Sequence, residues 1–170
     1  MTDSHHFEIT ETSPHATLVA GNRNGFAFVH YAHVLEAPAD EVWRIVGDLG
    51  NLESMGNFIC DISIEGEAAG AVRKMRLDKE LGGEWIIESI DEYDSRRRFY
   101  RYSFLDFGSL PWAAYDGLLG VYARGESRSN LYFESRELPL GVTHREAAEI
   151  SISNITGYAE RVAGMLCAKS

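Results

Sequence analysis

Cysteine, proline and long apolar runs are scarce in this sequence, which has two cysteines and four prolines among 170 residues. Cys60 and Cys167 lie far apart and in no CxxC pattern, which argues against a disulfide framework or a cysteine-based zinc site. We expect both to be small, buried or half-buried apolar side chains. No apolar run approaches the roughly 18 residues of a membrane span, so no stable membrane association is expected.

Basic residues are also few, since 16 Lys and Arg oppose 26 Asp and Glu and the formal net charge is −10. The one basic cluster, Arg96-Arg97-Arg98, is flanked by Glu92 and Asp94. Because this balance repels phosphate, nucleic acid is not an expected partner. The first residues lack the basic start and apolar stretch of a secretory signal, which predicts a cytoplasmic location.

Motifs for cofactors and metals are missing as well. The stretch Gly66 to Gly70 joins two predicted strands instead of opening a helix, so it is not a phosphate-binding loop. No nucleophile elbow occurs. His30 and His33 are close in sequence, but on a strand they point to opposite faces. We therefore expect no cofactor and no metal site.

The patterns that are present predict one soluble domain. Residues 1–24 are polar and aperiodic, and they are interpreted as a flexible N-terminal extension or an added edge segment before a single domain over residues 25–170. The alternation from Phe26 to Glu36 predicts a first strand. A short helix is predicted from Ala39 to Val46, and one more helical turn from Leu52 to Gly56.

The rest of the chain predicts a meander followed by a helix. Apolar residues alternate with a period of two along strands predicted at 60–65, 71–78, 84–93, 99–107, 113–126 and 130–137. From His144 to Ala168 the spacing changes to three and four, which is typical of an amphipathic helix, with Thr143 and Glu146 as a capping box. The fold class is therefore α+β, a curved antiparallel sheet of about six to seven strands packed on a long C-terminal helix.

Several local strings occur in an order that resembles a known superfamily. They are Glu36-Ala37-Pro38-Ala39-Asp40-Glu41-Val42-Trp43, Gly47-Asp48-Leu49-Gly50-Asn51-Leu52, Gly70-Ala71-Val72-Arg73, Glu88 through Asp91, and Leu110-Pro111 followed by Tyr115. Over residues 26–168 the chain resembles the Bet v 1-like or START-like (SRPBCC) superfamily, specifically its polyketide cyclase/dehydrase-type branch.

The resemblance implies a helix-grip fold, in which the curved sheet wraps the C-terminal helix and encloses a cavity for an apolar ligand. It does not imply one activity, because members include ligand carriers, hormone sensors, lipid-transfer proteins and cyclases. Where such proteins often carry Trp and Pro in the second short helix, this chain has Met55 and Asn57, so we expect a different cavity mouth.

Arg73 and Glu88 are the main candidates for chemistry. Each is predicted on an apolar face, in neighbouring strands, and an unpaired charge there is very costly, so the two are expected to pair inside the cavity. In the functional interpretation Arg73 binds a carbonyl, enolate or carboxylate, and Glu88 orients it or transfers protons. Tyr115 supplies a further hydroxyl. The alternative is a structural ion pair.

Aromatic and aliphatic side chains supply the predicted cavity wall. Arg101 and Ser103 indicate the outer face of their strand, which sends the intervening aromatic residues inward, with ordinary core packing as the alternative. The candidate ligand-binding residues are Ile62, Met75, Ile86, Tyr100, Tyr102, Phe104, Trp112, Ile152, Ile155 and Ala159.

Two functions compete. The first is binding of a small hydrophobic or aromatic ligand between the sheet and the C-terminal helix. The second is a polyketide cyclase/dehydratase-type enzyme, which acts on a poly-carbonyl or aromatic substrate by acid/base-assisted aldol closure and dehydration. Binding needs only apolar walls and a few placed donors, so it is the leading hypothesis. A homodimer stays open as the assembly state.

Overall fold

In the computed structural model, residues 6–168 are described, apart from the side chains of residues 56 and 57. The strands are β1 (Glu8–Thr12), β2 (Ala16–Arg23), β3 (Phe26–Leu35), β4 (Ile59–Glu65), β5 (Val72–Leu77), β6 (Trp85–Asp94), β7 (Phe99–Asp106), β8 (Trp112–Ala123) and β9 (Ser129–Pro139). The helices are α1 (Ala39–Val46) and α2 (His144–Cys167), with 3-10 turns at Leu52–Phe58 and Lys79–Leu81.

All strands pair antiparallel in one sheet with the order β1-β2-β3-β9-β8-β7-β6-β5-β4. The predicted α+β class is confirmed, as are the two short helical segments after the strand that begins at Phe26. The predicted strand number of six to seven is too low, because the sheet has nine strands. Two of the additional strands come from the N-terminal segment.

That segment is an edge extension of the sheet, which corrects the prediction of a flexible tail for residues 8–23. β2 pairs with β3 over eight residues and β1 covers the outer edge of β2. Leu18 and Ala20 are buried in the main core. Asn24 and Gly25 form the hairpin turn with positive φ at both positions, which is the backbone that a two-residue hairpin loop requires. Residues 1–5 lie outside the described part of the chain.

One face of β3 is buried in the core, and the sequence pattern alone does not show which face it is. Ala27, Val29, Tyr31 and Leu35 are buried, whereas His30 is exposed. β3 is bonded on one edge to β2 and on the other to β9, so its position inside the sheet selects the buried face.

α2 follows its predicted bounds closely. The Thr143 hydroxyl accepts from the backbone N–H of Glu146, and the Glu146 carboxylate accepts from the backbone N–H of Thr143, so the predicted capping box is confirmed. The helix packs on β2, β3, β9 and the 3-10 turn at Leu52–Phe58. It therefore crosses the concave face of the sheet.

The two cysteines lie at positions open to solvent. Cys60 and Cys167 are both exposed, so the prediction that they are buried or half-buried is wrong. Cys60 lies in the edge strand β4, and Cys167 is the last residue of α2. Both positions leave the side chain open to solvent.

No helix within residues 6–168 combines the length and apolar character needed to cross a bilayer.

Candidate functional site

A largely apolar cavity of about 130 Å³ lies between α2 and the concave face of β5 to β9. The sequence predicts thirteen site residues, and the structure places ten of them in the cavity wall: Arg73, Glu88, Tyr115, Met75, Ile86, Tyr100, Tyr102, Phe104, Trp112 and Ile155. The wall also includes Met55, Phe58, Leu77, Leu81, Leu110, Leu119, Phe133, Ile150, Asn154 and Tyr158.

Three predicted lining residues, Ile62, Ile152 and Ala159, lie outside this wall. Ile62 is half-buried on the edge strand β4, and Ile152 is half-buried on α2. Ala159 is fully buried in the main core. The side of α2 that faces the cavity carries Ile150, Asn154, Ile155 and Tyr158. The predicted apolar stripe, including Ala159, is buried against the sheet, and the cavity lies beside this stripe.

Arg73 and Glu88 form a buried ion pair in the cavity wall. They are cross-strand partners on β5 and β6, which places both side chains on the concave face. Nε and Nη2 of Arg73 donate to Oε2 of Glu88 at 2.8 and 2.6 Å, and each residue is 3% exposed. Burial acts to lower the pKa of Arg73, but Glu88 and the Tyr100 hydroxyl together raise it above its ordinary value, so the guanidinium stays charged.

An aromatic wall on β7 and β8 faces this pair. The guanidinium carbon of Arg73 lies 5.6 Å from the ring centre of Tyr100 and 5.9 Å from that of Tyr102, within the range of cation–π attraction. The Tyr115 ring packs edge-on against Phe104 at 4.9 Å between centres. It also lies 4.7 Å from the ring centre of Trp112.

Gly117 makes room for one of these rings. A Cβ atom at this position would overlap the ring of Tyr102, which lies across the backbone of β8. No side chain larger than hydrogen fits there unless Tyr102 moves. The glycine therefore fixes where the Tyr102 hydroxyl enters the cavity.

The tyrosine hydroxyls of the wall are neutral donors and acceptors. Burial raises the pKa of Tyr102, Tyr115 and Tyr158, so all three hydroxyls keep their protons at neutral pH. They can hydrogen-bond a ligand oxygen or nitrogen. His33 lies outside the wall, and its Nδ1 forms a hydrogen bond with the Tyr31 hydroxyl at 2.8 Å.

Sequence reasoning missed Glu137, which is completely buried on β9. Its Oε1 accepts from the Ser135 hydroxyl at 2.9 Å, and its backbone is directly opposite Tyr115 on β8. Leu131 and Phe133 lie on the same face of the predicted strand as Glu137, so alternation with period two is the signal that could have placed Glu137 inward. Glu137 sits behind the cavity wall, next to the Tyr115 side of the site.

Among the described residues, no three His, Cys, Asp or Glu side chains come close enough together to hold a metal ion. The polar groups that can meet a ligand are Arg73 with Glu88, the tyrosine hydroxyls and Asn154. A curved antiparallel sheet that grips a long helix over such a cavity defines the helix-grip class of proteins.

The chain belongs to the polyketide cyclase/dehydrase and lipid transport family, whose sequence profile matches residues 27–154. This confirms the resemblance that the sequence strings indicate. No match was found among curated proteins.

Solved structures show the same fold at low sequence identity. The protein XoxI from Bacillus cereus has a TM-score of 0.73 at 19% identity over 81% of this chain and 94% of that chain. The Zhui aromatase/cyclase from Streptomyces sp. R1128 has a TM-score of 0.68 at 20% identity over 82% of this chain and 93% of that chain. Norcoclaurine synthase from Thalictrum flavum has a TM-score of 0.66 at 14% identity over 85% of this chain and 97% of that chain.

Proposed function

We propose that this protein binds a small, uncharged aromatic molecule in the cavity under α2. The observation that carries the proposal is the size and lining of that cavity, which is walled by aromatic and aliphatic side chains and measures about 130 Å³. An engineered apolar cavity of roughly 150 Å³ stays dry and takes up benzene. The volume therefore suits a ligand built around one aromatic ring.

The charges in the wall favour a neutral ligand. Arg73 is already matched by Glu88 at 2.6 Å, so the pair adds no net charge. An anionic ligand would compete with Glu88 for the same guanidinium, and a cationic ligand would compete with Arg73 for the carboxylate. A neutral ligand with one polar atom can instead use the hydroxyls of Tyr102 and Tyr115, which keep their protons.

A pair of isoleucines on α2 provides the test. Ile155 lines the cavity and Ile152, one turn earlier, does not. Ile155→Phe adds volume inside the cavity, and Ile152→Phe makes the same chemical change outside it. We expect calorimetry with ethylbenzene to show binding by the natural protein and by Ile152→Phe, and at least a tenfold loss in Ile155→Phe. Equal binding by all three folded proteins would contradict this location.

A second candidate is an enzyme of the cyclase/dehydratase type, favoured by the charged Arg73 and the neutral hydroxyls of Tyr102 and Tyr115 around one apolar space. Such donors can stabilise an enolate oxygen during aldol closure, after which loss of water gives the conjugated ring. Two of the structures with this fold are named as an aromatase/cyclase and a norcoclaurine synthase. At about 130 Å³ the cavity restricts a substrate to a short chain that closes one ring.

The enzyme hypothesis has a direct test. A short poly-β-ketone thioester is incubated with the natural protein and with Tyr115→Phe, and the products are followed by mass spectrometry. Cyclisation with dehydration removes one water from the substrate mass. Formation of that product faster than in buffer, with a loss of rate in Tyr115→Phe, supports catalysis. An uncatalysed rate in both samples leaves binding alone.

A cytoplasmic location, which rests on the first residues of the sequence, completes the proposal. The assembly state stays open, with a homodimer as one option, and light scattering of the purified chain measures it.

A further inference from the structure

Glu137 is the one buried carboxylate in the described chain that forms no ion pair, and its position behind the cavity wall calls for an explanation. The side chain has no exposed surface. Oε1 accepts from the Ser135 hydroxyl at 2.9 Å, and Oε2 is buried without a hydrogen-bond partner within standard distance. A buried carboxylate without a cation is costly, so this group has a strong tendency to hold a proton.

The groups around Glu137 connect it to the cavity. Ser135 faces it from its own strand, Tyr115 from β8 and Ser151 from α2, while β3 presents Ala27, which does not titrate. Tyr115 is the cross-strand neighbour of Glu137, and its ring centre lies 5.9 Å from that of Tyr102. The series Glu137, Ser135, Tyr115, Tyr102 therefore runs from a buried carboxyl group, bonded to the Ser135 hydroxyl, to two tyrosines of the cavity wall.

We propose that Glu137 sets the hydrogen-bonding character of the cavity, presenting a donor to the ligand when it is protonated and an acceptor when it is ionised. The inference rests on the proposed binding function, and it identifies an aromatic carbonyl compound as the class of ligand that the protonated form prefers.

The direction of the hydrogen bonds follows from the number of protons in the series. An ionised Glu137 only accepts, so Ser135 donates to it, Tyr115 donates to Ser135 and Tyr102 donates to Tyr115. Every hydroxyl proton then points away from the ligand, and the Tyr102 oxygen can only accept. This is the direction in which Ser135 donates to Oε1.

Protonation of Glu137 allows the series to reverse. The Ser151 hydroxyl and Oε2 of Glu137 are both buried without a partner within standard distance. In the protonated state Ser151 donates to Oε2, which leaves the proton on Oε1. Glu137 then donates to Ser135, Ser135 to Tyr115 and Tyr115 to Tyr102, whose proton is free for a ligand carbonyl. One proton taken up at Glu137 thus becomes one donor in the cavity.

Burial raises the pKa of Glu137 to about 7, against the opposing interactions of Ser151 and Ser135, so both forms occur near neutral pH. The reversal therefore takes place in an accessible pH range. A ligand that needs a donor binds best below this value, and it takes up a proton when it binds above it.

Acetophenone and ethylbenzene make a matched pair of probes, because they have nearly the same shape and only acetophenone has a carbonyl group. Neither titrates between pH 5.5 and 9. We expect the natural protein to bind acetophenone about tenfold more weakly at pH 9 than at pH 5.5, and ethylbenzene equally at both. A tenfold difference in affinity moves the pKa of Glu137 from about 7 to about 8 in the complex. Calorimetry at pH 8 in buffers of different ionisation enthalpy should therefore show about 0.4 proton taken up per acetophenone and none per ethylbenzene.

Two variants locate the effect. In Glu137→Gln the amide can donate or accept without titrating, so acetophenone binding should not change with pH and no proton should be taken up. Ser135→Ala interrupts the series and should also remove the pH dependence. The same pH profile for acetophenone and ethylbenzene, or a profile that persists in Glu137→Gln, would overturn the inference. Failure of both compounds to bind at any pH would instead overturn the proposed function, and this inference with it.

Discussion

Arg73 and Glu88 stand directly opposite each other on β5 and β6, and Nη2 of Arg73 lies 2.6 Å from Oε2 of Glu88 in a wall that is otherwise apolar. Each charge is the main neutralising partner of the other, because both side chains are almost completely buried. The pair therefore behaves as one neutral unit. Removal of either partner leaves an isolated charge in the cavity wall.

Single and double variants of this pair should differ sharply. Arg73→Met or Glu88→Leu alone should each lower the free energy of unfolding by about 3 to 5 kcal/mol, and the double variant should recover much of that loss. Urea unfolding of the four proteins measures the coupling. Additive losses in the double variant would show that the two charges do not stabilise each other.

Gly117→Ala should displace Tyr102, because the added Cβ overlaps the tyrosine ring. We expect a loss of about 1 to 3 kcal/mol in the free energy of unfolding, which is typical of an overpacked site, together with weaker ligand binding. Gly120→Ala, on the same strand, is the control, because its Cβ would lie 3.4 Å from Cβ of Phe99, an ordinary contact. Equal stability of the two variants would show that Tyr102 adapts without cost.

The N-terminal strands should be required for stability. Deletion of residues 1–24 removes the buried Leu18 and Ala20 and exposes one edge of β3, so the melting temperature should fall by well over 10 °C. Leu18→Ala should cost about 2 to 4 kcal/mol, whereas Val19→Ala on the half-buried face should cost less than about 1 kcal/mol. A deletion that leaves the melting temperature within a few degrees would show that β1 and β2 add little.

Glu137 should make the protein less stable as the pH rises through neutrality. Its pKa is about 7 in the folded chain, compared with 4.5 as the ordinary value. Between these values the unfolded chain has released the proton and the folded chain keeps it, so stability falls with rising pH and levels off above about 7. The total corresponds to roughly 3 kcal/mol.

Glu137→Gln isolates this effect, because the amide does not titrate. Urea unfolding of the natural protein and the variant from pH 4.5 to 8.5 gives the difference in free energy, which should shift in favour of the variant as the pH rises. A difference that stays constant across this range would contradict a raised pKa for Glu137.

Many features of the fold that depend on local period can be predicted from the sequence alone. Alternation with period two fixed the strands from β4 to β9, and it put Arg73 and Glu88 on inward faces because strand side chains point alternately to the two sides. The spacing of three and four, with the capping box at Thr143, fixed α2. These signals need only neighbouring residues, so no tertiary contact was required to read them.

Which segments become neighbours depends instead on the tertiary structure. β2 is rich in small and polar residues, and it is a strand because β3 offers it eight pairing partners. α2 turns Tyr158 and Asn154 toward the cavity because its rotation is set by packing on the sheet. Glu137 is buried because β9 lies between β3 and β8 and beneath α2, a placement that depends on contacts between residues more than a hundred positions apart. Local sequence carries no signal for such pairings, since the free energy that selects them comes from surfaces that meet only in the folded chain.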